Sequence, residues 1–344
     1  MDSPKVLKDN KRKIRVEFER TSLKERMKAK YLSFGFAFQV VWKLFRYLLL
    51  IGISYIILYP FIAKIFGSFM STEDLVDATV RLIPKYPTLD TYKYIIRENS
   101  YFEAFFNTFV LSVLCAFVQT LICSVIGYGL AKFKFRGNKL VFMAVILTMI
   151  VPHDTIKLSM YMNFKFFDVF GIYGFISNLF NLEASSLDLV NTYWPLVILS
   201  LGGIAFKNGL YIFMMRQFFK GVPDELEEAA YIDGENTFGT FVKIILPISI
   251  PMMITIFLFA FSWQWTDNFY TELFFTRSGA ILMPSIVHVP QTLSEVANSF
   301  TAGDLYQSCI RNTCGLMVIL PLILFYSYMQ RYLIQGIERS GIVG

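Results

Sequence analysis

Histidine and cysteine are scarce in this chain of 344 residues, at two and four copies. His153 and His288 stand too far apart to suggest a metal site. Cys115, Cys123, Cys309 and Cys314 follow neither metal-ligand spacing nor the pattern of a secreted disulfide framework. All six residues are read as structural. Catalytic and nucleotide signatures are missing too: there is no Gly-x-x-x-x-Gly-Lys-Ser/Thr loop to cradle ATP phosphates, no Gly-x-Ser-x-Gly, no His-Glu-x-x-His and no nucleophile–base constellation. The expectation is a protein that is not an enzyme and holds no cofactor or metal of its own. Charge is low as well, at 17% Asp, Glu, Lys and Arg.

What fills the chain instead is apolar: 55% of residues are hydrophobic, 36 are Phe, and the mean hydropathy is +0.51. The apolar residues come in blocks longer than a soluble core uses, and a bilayer core needs about 20 apolar helical residues per span. Breaks in charge delimit six: Tyr47 to Ala63, with Arg46 and Lys64 snorkelling at its ends; Ala104 to Ala131; about Asn138 to Met162, kinked at Pro152; Thr192 to Phe219; Ile244 to Thr266; and Asn312 to Gln330. In the third, Asp154 and Lys157 are spaced i,i+3 to face together. The run Val169 to Leu182 is short and rich in Gly and Asn, which suits an interfacial or re-entrant piece.

Basic residues orient the spans. Residues 1–46 carry thirteen Lys/Arg against five Asp/Glu, and Lys132 to Lys139 holds four basic residues and no acid. The positive-inside rule puts both in the cytoplasm, and six spans then put both termini there. Residues 1–43 form a basic arm, whose charged stretch is too long for a signal peptide. It is either a topogenic tail or an arm lying on anionic membrane lipid. The domain boundaries read as 1–43 for the arm and 44–344 for the membrane domain; nothing suggests a nucleic-acid partner.

The stretch between the fourth and fifth blocks is the most specific: PDELEEAAYIDGENTFGTFVKIILP, from Pro223 to Pro247. Pro223 suits a first helical turn, and Asp224, Glu225, Glu227 and Glu228 place negative charge at that helix's positive end. Ala229 and Ala230 permit close approach, Gly234 allows a turn with positive φ, and a second helix from Thr237 to Ile245 leads into Pro247. Two short helices joined by a turn would form a rigid knob; the alternative is a hairpin that merely connects spans.

Glu228-Ala229-Ala230, Asp233-Gly234 and Ile244-x-Leu246-Pro247 resemble the "EAA" loop of binding-protein-dependent ABC importer permeases. The flanks RQFFKGVPDELEEAAYIDG and FSWQWTDNFY are similar to the maltose-type sugar permeases, over roughly Pro87 to the C-terminus. The resemblance implies an all-α integral membrane protein of the type I ABC importer permease fold, with an ATPase-coupling loop at about 220–246. It also implies the partners: a homologous second permease, two ABC ATPase subunits that use the ATP, an extracellular solute-binding protein and a carbohydrate substrate, in a bacterial cell membrane. A non-sugar solute, or an ion-coupled carrier, are the competing readings. The acidic residues concentrate in loops and leave no carboxylate relay inside the spans, which argues against the carrier.

Candidates for the translocation path are Lys207 and Asn208, inside the fourth block, and Trp263, Trp265 and Asn268, around the end of the fifth. Lys207 lies nine residues, about 13 Å of helix, from the cytoplasmic Arg216. A mid-membrane charge costs roughly 2.5–3.5 kcal/mol and usually faces an aqueous path or a bundle interior. Lys207 either lines a path or pairs with Asp154 or a backbone carbonyl. The aromatics either stack on sugar or form an interfacial belt.

Overall fold

The structure, a computed structural model, describes residues 34–341 except 170, 181–185, 206, 276–278, 300 and 301. The basic arm therefore lies outside the described residues up to residue 33. By packing, the chain divides into residues 1–63 and 64–344. The first unit contributes a helix, α1 (Phe34–Gly67), which runs on into the second. Among the described residues the regular secondary structure is helical, and the β pairing is an isolated antiparallel bridge between Phe167 and Leu187.

In the second unit, α2 (Thr72–Val76) and α3 (Asp90–Glu98) precede the long α4 (Tyr101–Lys132). Next come α5 (Asn138–Ile150), a 3-10 turn over His153–Ile156, α6 (Lys157–Lys165), α7 (Ile172–Phe180), α8 (Trp194–Leu201) and α9 (Asn208–Lys220). Then follow α10 (Glu225–Ile232), α11 (Thr237–Thr240), α12 (Leu246–Trp265), α13 (Asn268–Phe274), α14 (Gln291–Asn298) and α15 (Gly303–Gly341).

The core forms around α4, which packs against α8, α9 and α12. Its buried face runs Ala104, Thr108, Leu111, Cys115, Gln119, Cys123, Gly127, at the three-to-four spacing of one helical stripe. These are mostly small or polar side chains, the kind that let membrane helices approach closely and hydrogen-bond across the contact. Gln119 donates to Ser200 at 3.3 Å, and Thr108 accepts the Met283 N–H at 2.8 Å. Cys115 and Cys123 are buried as free thiols in this packing, and Cys314 is buried as a free thiol in a separate cluster with Ile95, Leu293 and Ile310.

Among the described residues, four helices are long and apolar enough to cross a membrane: Phe38–Gly67, Tyr101–Lys132, Thr237–Trp265 and Gly303–Tyr332. A fifth exists if Asn138–Ile150 and His153–Lys165, bent by 95°, count as one span. The third block is thus broken, more sharply than a kink. Pro152 has no N–H and disfavours helical backbone at Val151, which is extended (φ −65°, ψ 120°). Asp154 sits in the 3-10 turn, while the Lys157 ammonium lies 5.4 Å from the centre of the Phe269 ring. The fourth block is also divided, into α8 and α9. Between them Gly203 (φ +68°) and Lys207 (φ +72°) take left-handed backbone that no helix continues through. The Val169–Leu182 run holds the nine-residue α7, whose first turn is tied down by Asp168 accepting the N–H groups of Tyr173 and Gly174.

Glycine is required where α9 meets α5. A Cβ on Gly209 would lie 2.6 Å from Thr148 Oγ1, 2.8 Å from Met149 Cγ and 3.0 Å from the Val145 carbonyl. Gly209→Val is expected to force these helices apart at a cost of about 1–3 kcal/mol, seen as a lower thermal unfolding midpoint in detergent. Gly129→Ala, where an added Cβ meets nothing within 4 Å, should leave the midpoint unchanged.

Candidate functional site: a clamped knob and a cation–aromatic cluster

The segment after α9 builds the knob that the sequence suggested. In α10, Glu228 and Ala229 are exposed and Ala230 is buried at 2% exposure. The helix stops in a Schellman turn: the Gly234 N–H reaches the Tyr231 carbonyl (3.1 Å) and the Glu235 N–H reaches the Ala230 carbonyl (3.0 Å). Asp233 caps the helix, and Gly234 holds φ +88°. No atom lies within 4 Å of a Cβ built on Gly234, so backbone conformation and not space calls for glycine there.

Asn236 starts the second limb, its side-chain oxygen accepting the Gly239 N–H at 2.7 Å. Lys243 pairs with Glu235 at 2.5 Å across the turn. The limb is α-helical only to Thr240. A π-helical turn, Phe241–Ile245, then joins it to α12 without a break. Pro247 accounts for this: it cannot donate to the Lys243 carbonyl, and the register slips so that the Leu246 N–H bonds Phe241, five residues back. Ile244 is half-buried in the π turn, Ile245 is buried, Leu246 is half-buried and Pro247 is exposed.

A residue the sequence reading assigned only to topology fastens the knob. Lys132, the last residue of α4, has a side chain 7% exposed. Its ammonium donates to the Val222 carbonyl (2.6 Å) and to Asp224 (2.5 Å), with Glu227 at 3.5 Å. That contact holds the Asp224 carboxyl below the usual carboxylate range. Beneath it, Tyr128 of α4 packs on Phe241 (4.8 Å between ring centres) and edge-on to Phe219 (5.6 Å). From the knob two large apolar side chains project outward, Ile232 at 86% exposure and Phe238 at 75%. Both were legible as apolar residues inside a charged loop, yet the motif drew attention to its Glu, Ala and Gly instead.

The path candidates separate into two environments. Lys207 and Trp263 come together, the ammonium 4.5 Å from the indole centre. Lys207 is the N-cap of α9, and Asn208 is its first residue, fully buried, with neither side-chain amide atom hydrogen-bonded among the described residues. Trp265 points elsewhere. It is 1% exposed, donates its indole N–H to the Val318 carbonyl at 2.9 Å and packs edge-on to Phe105, a position within the helix core. Asn268 is exposed at the start of α13.

Near the Lys207–Trp263 pair, a narrow recess of about 10 Å³ is lined by Gln119, Ala205, Trp263, Gln264, Asp267 and Tyr270. Asp267 caps α13, accepting the N–H groups of Phe269 and Tyr270. Burial pushes its carboxyl up to about 7, those two N–H groups pulling the other way.

Long apolar helices with a built, outward-facing knob define a helical integral membrane protein. The chain belongs to the family of binding-protein-dependent transport system inner membrane components, whose model matches residues 123–339. It is similar to the arabinooligosaccharides transport system permease protein AraQ of Halalkalibacterium halodurans, 27% identical over 91% of this chain and 96% of that one. It is also similar to the polygalacturonan/rhamnogalacturonan transport system permease protein YtcP of Bacillus subtilis, 25% identical over 83% and 92%. Among solved structures, a chain of a bacterial ABC transporter involved in import of the acidic polysaccharide alginate superposes with a TM-score of 0.60. That match covers 85% of this chain and 96% of the other at 21% identity, and shows a shared fold.

Replacing Lys132 tests the clamp. In Lys132→Met, the buried carboxylate of Glu227 loses its cation, and backbone amides of residues 224–232 should exchange hydrogen at least severalfold faster, with α4 itself unchanged. Unaltered exchange would mean that the aromatic packing alone holds the knob.

Proposed function

We propose that this chain is one permease subunit of an ATP-driven importer and forms half of the translocation pathway for a carbohydrate. The observation that carries the reading is the knob: a Schellman-terminated helix and a capped second limb, continuous with α12 and clamped to α4 by Lys132. A loop that only joined spans would need neither the cap nor the clamp. The exposed Ile232 and Phe238 suit insertion into a groove of an ATPase subunit. The carbohydrate assignment follows the names of the relatives, which are oligosaccharide and polysaccharide permeases.

In this reading the chain pairs with a homologous second permease, two ATPase subunits hydrolyse the ATP, and an extracellular solute-binding protein delivers the substrate. The basic arm of residues 1–43, the knob and the C-terminus are cytoplasmic, and residues 44–344 form the membrane domain. The Glu228, Ala229, Ala230, Asp233, Gly234, Ile244, Leu246 and Pro247 set shapes the coupling element. The chain hydrolyses no ATP itself.

Gly234→Val should leave the protein inserted, because nothing packs against that position. It should strain the turn by on the order of 1 kcal/mol or more and lower substrate uptake. Uptake, membrane abundance and retention of the ATPase are measured together. Normal uptake, or an abundance that falls as far as uptake does, would remove Gly234 from the coupling role. Glu228→Gln should lower uptake more mildly, since an exposed charge contributes little alone.

A further inference from the structure

The loop between α4 and α5 reads Phe133-Lys134-Phe135-Arg136-Gly137-Asn138-Lys139, aromatic and basic residues in alternation with no acid. It is held in a defined turn. Gly137 takes left-handed backbone (φ +96°) as the N-cap of α5. The Asn138 amide donates back to the Leu130 and Phe133 carbonyls, at 3.3 and 2.9 Å. Phe133 meets Tyr128 edge-on at 5.5 Å, which joins the loop to the same aromatic junction that supports the knob. A further cation comes from α9. Arg216, half-buried, donates its Nε–H to that same Leu130 carbonyl at 3.3 Å, and its guanidinium carbon lies 3.7 Å from the centre of the Phe142 ring. Loop and arginine thus meet at one carbonyl near the end of α4.

These cations have no acid of their own. Among the described residues, no carboxylate lies within 4 Å of Lys134, Arg136, Lys139 or Arg216. Asp224 and Glu227 of the knob are taken up by Lys132, and Lys134 acts on Asp224 only at longer range. The N-terminus of the thirteen-residue α5 adds positive potential at the same place.

The surroundings say what covers such a patch. Phe135 is exposed, and it leads directly into α5, a helix with no buried residue and with Leu140 and Met143 on its open surface. An acidic protein surface would satisfy the charges and leave this adjoining apolar surface bare. The headgroup layer of a bilayer satisfies both, with phosphates for the cations and acyl chains for the apolar groups. A guanidinium is well matched to phosphate because its planar fork donates to two oxygens at once.

We propose that the 133–139 loop and Arg216 form a site for the phosphate headgroup of an anionic phospholipid, with Phe135 among the acyl chains. The site is independent of what the chain carries across the membrane.

The test uses the assembled transporter in nanodiscs, with trace phosphatidylglycerol or phosphatidylcholine bearing a photoreactive group on the acyl chain. Labelled peptides are located by mass spectrometry. Phosphatidylglycerol should label residues 133–143 at least about fivefold more than phosphatidylcholine, since each basic residue near an anionic surface contributes roughly that factor. Raising NaCl from about 0.1 to about 0.5 M should cut the excess severalfold by screening. Replacing Lys134, Arg136 and Lys139 together by Gln should reduce it to about twofold or less. Arg97→Gln, which removes an exposed charge from α3, should leave it unchanged. The three loop positions are exposed, so the triple variant should keep the wild-type thermal midpoint, and the salt series reads the site without any substitution. Equal labelling by the two lipids, or an excess that survives both high salt and the triple substitution, would overturn the site. Absence of label on the loop, with the triple variant losing its ATPase subunit in pull-downs, would also overturn it and assign the cations to an acidic face of that partner.

Discussion

The contact on which the arrangement depends is the end of one helix. Lys132 closes the long, internally packed α4, and its ammonium is shared among a carbonyl and two carboxylates of the segment that starts the knob. A lysine stem that buries itself along apolar surface while its head finds three oxygens joins two parts that differ in solvent: a membrane helix and a water-facing hairpin. Tyr128, Phe219 and Phe241 continue the junction inward. Because α4 also contacts α8, α9 and α12, a force applied at the knob reaches the bundle through its most connected helix.

The second limb of the knob provides another route. It has no hinge, since α11, the π turn and α12 form a single helix of 29 residues. Pro247 would ordinarily break such a helix. Here the slipped register absorbs the missing hydrogen bond and preserves the continuity that a lever needs. The knob is therefore connected to the bundle twice, by a polar clamp at its entrance and by covalent helix at its exit.

Much of this was legible in residue order. Gly234 demanded a turn because few other residues tolerate positive φ, and Asn236 and Pro247 mark the start of the second limb and its junction with α12 for equally local reasons. Apolar blocks gave the helices, because backbone in a bilayer has to satisfy its own hydrogen bonds. What hydropathy could not show is where such a block is interrupted. Apolar halves on either side of Gly202–Lys207 read as one run, and Pro152 reads as a kink as easily as a 95° bend. The partner of a lone cation was equally hidden. Lys207 invited Asp154 or a backbone carbonyl as its partner, and the face of Trp263, brought near by those interruptions, was a contact the residue order did not suggest. Trp263 and Trp265, two residues apart, looked equivalent in sequence, but helical geometry sends one to the recess and the other into the core.

The central claim is that knob and membrane bundle move as one body. Spin labels at the exposed Glu225 on the knob and Leu114 on the outer face of α4, in a chain whose four cysteines are replaced, measure this directly in the assembled transporter. The account predicts a single narrow distance distribution, the same with and without ATP. A broad distribution, or a shift between the two states approaching one helical turn, about 5.4 Å, would show that the knob moves independently and would contradict it.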